Sequence, residues 1–232
     1  MAIENEMHPI QVNILLVLLF RTKARFSELN TLKVPSDQFN FHLKKLVEAA
    51  LIEKSGNLYR LMPKGKEFAN RFDTQNLVPE RQAKVAVLIC CVKKEKTVNK
   101  YLVQKRLKQP YYGYYGFFGG KIRWGETVFE TANRELKEET GLSGKLKLVG
   151  IKHKMDYSKD LKLLEDKFFF TFKVTNLTGK LIEKFEGGEN VWLTEEEIYN
   201  LPNLFDGVNT TLEMVKGVGL SFIERKYKVK RY

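Results

Sequence analysis

The segment from Thr127 to Gly141, "TVFETANRELKEETG", constrains the fold more than any other part of the chain. Thr127 and Glu130 form the T-x-x-E pattern of a helix-capping box, and Gly141 stands where a C-cap favours a left-handed residue. The apolar positions lie four residues apart and form one stripe: Val128, Ala132 and Leu136. The pattern therefore predicts a helix with both ends marked and one face that can pack on a sheet.

Three glutamates of this helix lie off the apolar stripe. Glu135, Glu138 and Glu139 are at positions i, i+3 and i+4, so they share roughly one face. Like charges at this spacing cost a few tenths of a kcal/mol per pair. From the helix alone, a solvated acidic face and a cation-binding face are both open explanations.

The surrounding residues favour the cation-binding explanation. The stretch from Gly120 to Leu142, "GKIRWGETVFETANRELKEETGL", fits G-x5-E-x7-R-E-U-x-E-E-x-G-U at every fixed position, where U is a bulky aliphatic residue. This pattern resembles the Nudix box, and the region from about Arg81 onward resembles a Nudix hydrolase. The preceding "FFGGK" resembles the family's "FPGGK", with Phe118 in place of proline.

The resemblance implies an activity and a metal site. Nudix enzymes cleave the diphosphate linkage of a nucleoside diphosphate joined to a group X, and they use Mg²⁺ or Mn²⁺. Such hard cations prefer carboxylate and phosphate oxygens. By the resemblance, Glu138 and Glu139 are the principal metal ligands and Glu135 is a third ligand or orients the attacking water. The backbone carbonyl of Gly120 is a further metal ligand.

The resemblance also implies roles around the metal site. Arg134 and Glu126 match the ion pair inside the box, and Arg106 and Lys121 are placed to meet substrate phosphates. Some family members add a carboxylate from a later loop as ligand or general base, and here "EKFEGGENVW" offers Glu186 or Glu189, with Glu186 preferred. The aromatic stretch from Tyr111 to Phe118 can stack a nucleobase or pack on the sheet.

Composition sets broad bounds. The chain is 43% hydrophobic and 29% charged, which is typical of a soluble protein. The apolar run "ILLVLLF" is too short to span a bilayer, so no membrane association is predicted. Two adjacent cysteines, Cys90 and Cys91, do not suggest a disulfide framework, and the cytoplasm is the expected location.

The positive charge is concentrated in the second part of the chain. The net charge is +12; residues 1–80 carry 11 Lys and Arg against 9 Asp and Glu, and residues 81–232 carry 29 against 19. This excess suggests polyanionic ligands. The terminal stretch "ERKYKVKRY" alternates basic and aromatic residues, which fits either nucleic-acid binding or an exposed terminal strand.

A polar joint divides the chain into two predicted domains. Residues 73–82, "DTQNLVPERQ", lack apolar periodicity and read as a linker between residues 1–72 and 83–232. The first domain reads as three helices, a hairpin turning at Ser55-Gly56-Asn57, and a last helix. Ser27 is the expected cap of the second helix and Ser36 or Asp37 that of the third. The third helix carries apolar residues at helical spacing: Phe39, Leu43, Leu46 and Val47.

The first domain resembles a winged helix-turn-helix of the MarR/ArsR type. The resemblance implies duplex DNA as a partner, through residues that face the major groove or the phosphates. These candidates are Gln38, Asn40, His42, Lys44, Lys45, Lys54 and Arg60. The alternative is that the same fold serves as a dimerisation or protein-docking module, which leaves a homodimer open.

The predicted fold class is α/β: a winged helix-turn-helix followed by a Nudix α/β/α sandwich with a mixed sheet. The predicted function is an Mg²⁺- or Mn²⁺-dependent pyrophosphohydrolase acting on a nucleoside-diphosphate-linked small molecule. The alternative is a Nudix-related transcription regulator that senses a nucleotide metabolite such as ADP-ribose. A third, weaker hypothesis is an enzyme acting on the 5′ end of RNA.

Overall fold

The computed structural model describes residues 7–71, 81–230 and 232, and the chain divides into two compact units, Met1–Arg81 and Gln82–Tyr232. The predicted linker, residues 73–82, lies outside the described residues except at positions 81 and 82. Within the described ranges, no helix has the length and apolar character needed to cross a membrane.

Within residues 7–71, the first unit contains four helices and a small antiparallel sheet. Its elements are α1 (Pro9–Leu19), β1 (Ala24–Arg25), α2 (Phe26–Leu29), α3 (Ser36–Glu48), β2 (Ile52–Ser55), β3 (Leu58–Leu61) and α4 (Pro63–Ala69). The strands lie in the order β1-β3-β2, and Ser55 pairs with Leu58 across the hairpin turn. Gly56 has a φ of +59°, a conformation that favours glycine.

The core of the first unit forms around α1. This helix is apolar on all sides and is correspondingly buried, as the sequence pattern requires. Helix α3 adds Phe39, Leu43 and Leu46, each at most 2% exposed. Val47 of the same helix is instead 39% exposed, so it contributes little to this core.

The helix caps expected in the first unit are wrong. Helix α2 begins after Arg25, whose backbone N–H donates to Glu28 Oε2 at 2.6 Å, and Ser27 is inside the helix. Helix α3 follows Pro35, so Ser36 and Asp37 are its first helical residues and neither caps it. Both helices therefore begin earlier than the predicted capping residues indicated.

The second unit is a mixed sheet with helices on both faces. Its strands are β4 (Lys84–Glu95), β5 (Val98–Arg106), β6 (Tyr115–Gly116), β7 (Leu142–Tyr157), β8 (Leu163–Gly179), β9 (Lys184–Phe185), β10 (Gly188–Leu193) and β11 (Ser221–Lys228). Its helices are α5 (Val128–Thr140), α6 (Glu195–Tyr199) and α7 (Val208–Lys216). The strand order is β11-β7-β8-β4-β5-β10-β9, with β6 beside β5.

Strand β4 connects the two halves of this sheet. Its first residues pair in parallel with β8, and its last residues pair antiparallel with β5. The terminal stretch forms β11, which pairs in parallel with β7 at one end of the strand order. The strand expected for that stretch is present up to Lys228, and its binding to nucleic acid stays a prediction.

Each face of the sheet has its own core. Helix α5 packs through Ala132 and Leu136 in a cluster that includes Cys91. On the opposite face, α6 and α7 pack in a second cluster that includes Cys90. The two adjacent cysteines point to opposite faces because successive strand residues alternate, and burial raises the pKa of both thiols.

Candidate active site

Helix α5 is fixed at both ends in the way its sequence predicts. The Thr127 hydroxyl accepts from Glu130 N–H at 3.2 Å, and Thr127 N–H donates to Glu130 Oε2 at 2.8 Å. Gly141 closes the helix with a φ of +71°. Because Ala132 and Leu136 pack on the sheet, the three glutamates lie off the packed face of the helix.

Glu135 packs directly against Gly120. The glutamate is 9% exposed, and a Cβ built on Gly120 would collide with its carboxylate oxygens. Any larger residue at position 120 would therefore displace the Glu135 carboxylate. The Gly120 carbonyl accepts from Val87 N–H at 2.9 Å, which leaves one lone pair of this oxygen for another partner.

Arg134 ties the loop of the box to the helix. Its guanidinium makes a two-bond pair with Glu126, Nε to Oε1 at 2.7 Å and Nη2 to Oε2 at 2.9 Å. The Thr131 hydroxyl donates to the same carboxylate at 2.8 Å. The hydrogen bonds from Arg134 lower the pKa of Glu126 to about 2, so this carboxylate remains charged. The ion pair expected from the sequence is present.

The same guanidinium also contacts two of the clustered glutamates. Arg134 Nη1 lies 2.5 Å from Glu135 Oε1 and 3.2 Å from Glu138 Oε2. Glu138 is half exposed and has Arg123 Nη2 at 3.8 Å. The Arg134 guanidinium therefore offsets part of the repulsion between Glu135 and Glu138.

Glu139 is held from the neighbouring strands. Gln104 Nε2 donates to Glu139 Oε2 at 3.0 Å, and Asn190 Nδ2 donates to the Glu139 carbonyl at 2.8 Å. Burial raises the pKa of Glu139; the Gln104 hydrogen bond opposes this rise and the charge of Glu135 adds to it. Burial disfavours the negative charge of this carboxylate, and a bound cation would stabilise that charge.

Sequence reasoning missed Gln104 and Asn190. Strand alternation places Gln104 on the same face as Arg106, two residues later, so its position on the site's side of β5 was accessible from the pattern. The contact of Asn190 joins residues 51 positions apart and has no local signal.

The donor set fits a hard divalent cation. Three carboxylates on α5 and the carbonyl of Gly120 are oxygen donors, which Mg²⁺ and Mn²⁺ prefer. In the arrangement that the described residues adopt, no three acidic, histidine or cysteine side chains are grouped to hold a metal ion, and Arg134 and Gln104 contact Glu135 and Glu139.

Arg106 lies between two acidic groups and is largely engaged by its own loop. Its side chain donates to the carbonyls of Pro110 at 2.6 Å and Gln109 at 3.2 Å. Burial lowers the pKa of Arg106, while Glu139 and Glu165 both act to raise it. Two of its N–H groups thus hold the loop, and the others are available to a ligand.

The remaining candidates lie at the margin of the site. Lys121 is exposed, and its carbonyl accepts from Arg134 Nη2 at 3.4 Å. Glu186 is exposed between β9 and β10, while Glu189 pairs with Lys184 at 2.6 Å. Within the described part of the chain, Glu186 has no ion pair or side-chain hydrogen bond, so it is the more available of the two carboxylates.

In the first unit, His42 was predicted to contact DNA, and its burial contradicts this prediction. His42 is 7% exposed and stacks on His8 with ring centroids 4.1 Å apart. The reason is helical phase, since His42 falls three residues after Phe39 and one before Leu43, inside the buried stripe. It cannot face a groove.

The other six candidates are exposed. They are Gln38, Asn40, Lys44, Lys45, Lys54 and Arg60. Lys45 Nζ lies 4.9 Å from the Phe41 ring centroid, and Arg60 pairs with Glu53 across the hairpin. Phe41, which sequence reasoning passed over, is 53% exposed on the same helix.

A mixed sheet that carries a glutamate-rich helix against a glycine-bearing segment defines the second unit as an α/β domain with a candidate cation-binding site. Comparison with known proteins narrows this class. The sequence profile of the NUDIX domain matches residues 81–214. The chain therefore belongs to the Nudix family.

Two curated relatives are similar in sequence. An ADP-ribose pyrophosphatase of Methanocaldococcus jannaschii is 48% identical over 54 residues, which cover 23% of this chain and 32% of that protein. The chain thus spans only about a third of this relative. The uncharacterized Nudix hydrolase YvcI of Bacillus subtilis is 30% identical over 119 residues, 49% of this chain and 72% of that protein.

Two solved structures share the fold. A MutT protein of Bacillus halodurans superposes with a TM-score of 0.52 at 23% identity, covering 64% of this chain and 93% of that one. The Nudix domain of Shewanella oneidensis NrtR, solved with ADP ribose, gives 0.51 at 15% identity, covering 67% and 97%. At these identities the likeness concerns the fold alone.

Proposed function

We propose that the second unit is a divalent-metal-dependent hydrolase that cleaves the diphosphate linkage of a nucleoside diphosphate derivative. The observation that carries the proposal is the packing of Glu135 against Gly120, with Glu138 and Glu139 on the same helix face. ADP-ribose is the first substrate to test, because a relative that is 48% identical over 54 residues bears the name ADP-ribose pyrophosphatase.

In this proposal, Glu135, Glu138, Glu139 and the Gly120 carbonyl hold Mg²⁺ or Mn²⁺. The bound cation supplies charge neutralisation at the phosphates and lowers the pKa of the attacking water. Arg134 and Glu126 fix the loop against the helix, and Gln104 orients Glu139. The unused N–H groups of Arg106, with Lys121, meet substrate phosphates.

The test is the Mg²⁺-dependent hydrolysis of ADP-ribose by Glu139→Gln. We expect kcat to fall by about 1,000-fold, since an amide cannot supply the ligand charge, while the melting temperature stays close to that of the wild type. Glu213→Gln, an exposed position on α7, is the control and should retain full activity. Equal turnover by both variants would exclude Glu139 as a metal ligand.

The first unit supports a second proposal: a winged helix that binds duplex DNA, in a protein that couples DNA binding to a nucleotide. Helix α3 precedes a two-stranded hairpin in a sheet ordered β1-β3-β2, and it exposes Lys44 and Lys45. Residues 1–80 carry eleven Lys and Arg against nine Asp and Glu, so attraction to DNA would depend on the local placement of Lys44 and Lys45 and not on the net charge of the unit.

Replacing Lys44 and Lys45 together by Glu should weaken duplex binding and reduce its salt dependence. Replacing Lys23 and Lys66, which are exposed outside α3, by Glu makes the same charge change and serves as the control. Titrations with a random-sequence duplex at several salt concentrations measure both quantities. If the wild type binds no duplex at low salt, the unit is a docking or dimerisation module instead.

A further inference from the structure

A group of aromatic and charged side chains lies beside the catalytic glutamates, where β7 ends, β8 begins and the loop after β5 folds over them. At its centre is Tyr111, which is 5% exposed. Its hydroxyl donates to Asp156 Oδ2 at 2.8 Å, and its ring centroid lies 5.2 Å from that of Phe205. Tyr111 is thus held rigidly from two sides.

Glu165 forms the polar side of this group. It is 5% exposed, and its Oε2 accepts from Lys84 Nζ at 2.7 Å and lies 3.3 Å from Lys167 Nζ. Its other oxygen, Oε1, accepts from the Tyr232 hydroxyl at 2.9 Å. The two lysines keep the carboxylate charged, so Oε1 is a strong acceptor that points to Tyr232.

Tyr232 covers this group but is not part of the core. Its ring meets Tyr111 edge-on, with centroids 5.1 Å apart at 86°, and yet it remains 49% exposed. The chain reaches this point after Val229, which is 6% exposed and donates its N–H to the Tyr157 carbonyl at 2.9 Å. Val229 thus anchors the backbone beside β7, three residues before Tyr232.

The loop that presents Tyr111 also borders the proposed phosphate site. Arg106 donates to the carbonyl of Pro110, the residue before Tyr111. Arg106 also lies close enough to Glu139 on one side and Glu165 on the other for both charges to act on it. A ligand with a phosphate near Arg106 can therefore place a flat ring against Tyr111.

We propose that Tyr111 and Glu165 form a subsite for the base of the nucleotide, and that Tyr232 is an intramolecular competitor for it. The proposal rests on the proposed nucleotide substrate and adds regulation of that site. A tyrosine offers a flat ring and one O–H donor. An adenine offers a flat ring and the N–H donors of its amino group, so both satisfy the Tyr111 face and Glu165 Oε1.

The competition lowers affinity without changing the chemistry. When a fraction of molecules has Tyr232 in the subsite, the apparent dissociation constant rises in inverse proportion to the open fraction. Removing the ring should therefore tighten binding of base-containing ligands, and it should leave ligands without a base unaffected. This selectivity separates competition at the base from general loosening of the site.

The experiment measures binding of AMP and of ribose 5-phosphate to the full chain by calorimetry. For Tyr232→Ala we expect AMP to bind about ten-fold more tightly than to the wild type, with ribose 5-phosphate unchanged. Tyr232→Phe keeps the ring and loses the hydrogen bond to Glu165, so its AMP affinity should lie between those of the wild type and Tyr232→Ala. Tyr199→Ala, at a tyrosine that is 48% exposed on α6, is the matched control and should match the wild type.

Three outcomes would overturn the inference. These are equal AMP affinity in the wild type and Tyr232→Ala, equal tightening for AMP and ribose 5-phosphate, or no AMP binding by either protein. Failure of the proposed function would instead appear as a lack of diphosphate cleavage. The AMP-binding comparison does not depend on cleavage, so the two failures can be told apart.

Discussion

At the scale of single residues, Arg134 and Gly120 organise the site around Glu135. Arg134 joins the loop carboxylate Glu126 to the helix and contacts Glu135 at 2.5 Å. Gly120 leaves the space that the Glu135 carboxylate fills. The Glu135 carboxylate is thus positioned by the Arg134 guanidinium and by the absence of a side chain at position 120.

Gly120→Ala tests this arrangement. The added Cβ must displace the Glu135 carboxylate, and a displacement of about 1 Å at a catalytic group costs roughly 100-fold in rate. We expect kcat for ADP-ribose to fall by about that factor with the fold retained. Gly217→Ala is the control, because the nearest heavy atom to its new Cβ is a carbonyl oxygen at 3.2 Å. Full activity of Gly120→Ala would contradict the role given to Glu135.

Arg134→Lys tests the two-bond pair. Lysine keeps the charge but cannot bond both oxygens of Glu126, so we expect a loss of about 1–2 kcal/mol in the free energy of unfolding. Urea denaturation measures the change. A stability equal to that of the wild type would show that the loop is held without the guanidinium geometry.

At the scale of elements, three strands meet at one histidine. His153 of β7 places Nε2 2.8 Å from Asp166 of β8 and Nδ1 2.5 Å from Glu224 of β11, and its ring stacks on Phe168 at 3.9 Å. Burial alone would lower the pKa of His153, but the hydrogen bonds to the two carboxylates outweigh it and the pKa lies above its usual value. The charged imidazole therefore helps to hold β11 on the sheet.

This histidine should make stability depend on pH. Because the folded state raises the pKa of His153, its stabilisation is complete below the unfolded value of about 6.5 and disappears as pH rises through the folded value. His153→Gln should thus destabilise the protein more at pH 5.5 than at pH 8.5 in denaturant titrations. Glu224→Gln should flatten the same dependence. A difference that is constant across this range would exclude a charged His153.

At the scale of the whole molecule, the chain consists of two units that each bury their own core. The first has one cluster around α1, and the second has one cluster on each sheet face. All the proposed catalytic groups belong to the second unit. A unit with its own core can fold alone.

Residues 81–232 produced separately should therefore hydrolyse ADP-ribose with a kcat/KM within roughly three-fold of the full chain, since no catalytic group is lost. Residues 1–72 produced separately should retain duplex binding. An inactive but folded second unit would show that residues before position 81 contribute to catalysis.

Local patterns in the sequence predicted the capped helix α5, the shared face of its glutamates and the hairpin of the first unit. These features depend on neighbours within about one helical turn or one tight turn, so the sequence contains their causes. The burial of His42 was available from the same periodicity, because residues 39, 42, 43 and 46 follow helical spacing, but a groove-facing role was assigned to it instead.

Only the tertiary structure decided which side chains meet across the sheet. Gln104 reaches Glu139 from 35 residues away, Asn190 reaches it from 51, and Tyr232 reaches Glu165 from 67. Such contacts depend on strand order and register, which arise from the packing of two apolar faces and not from local spacing. The sequence by itself determined the type and spacing of the proposed catalytic groups, and the fold determined their partners.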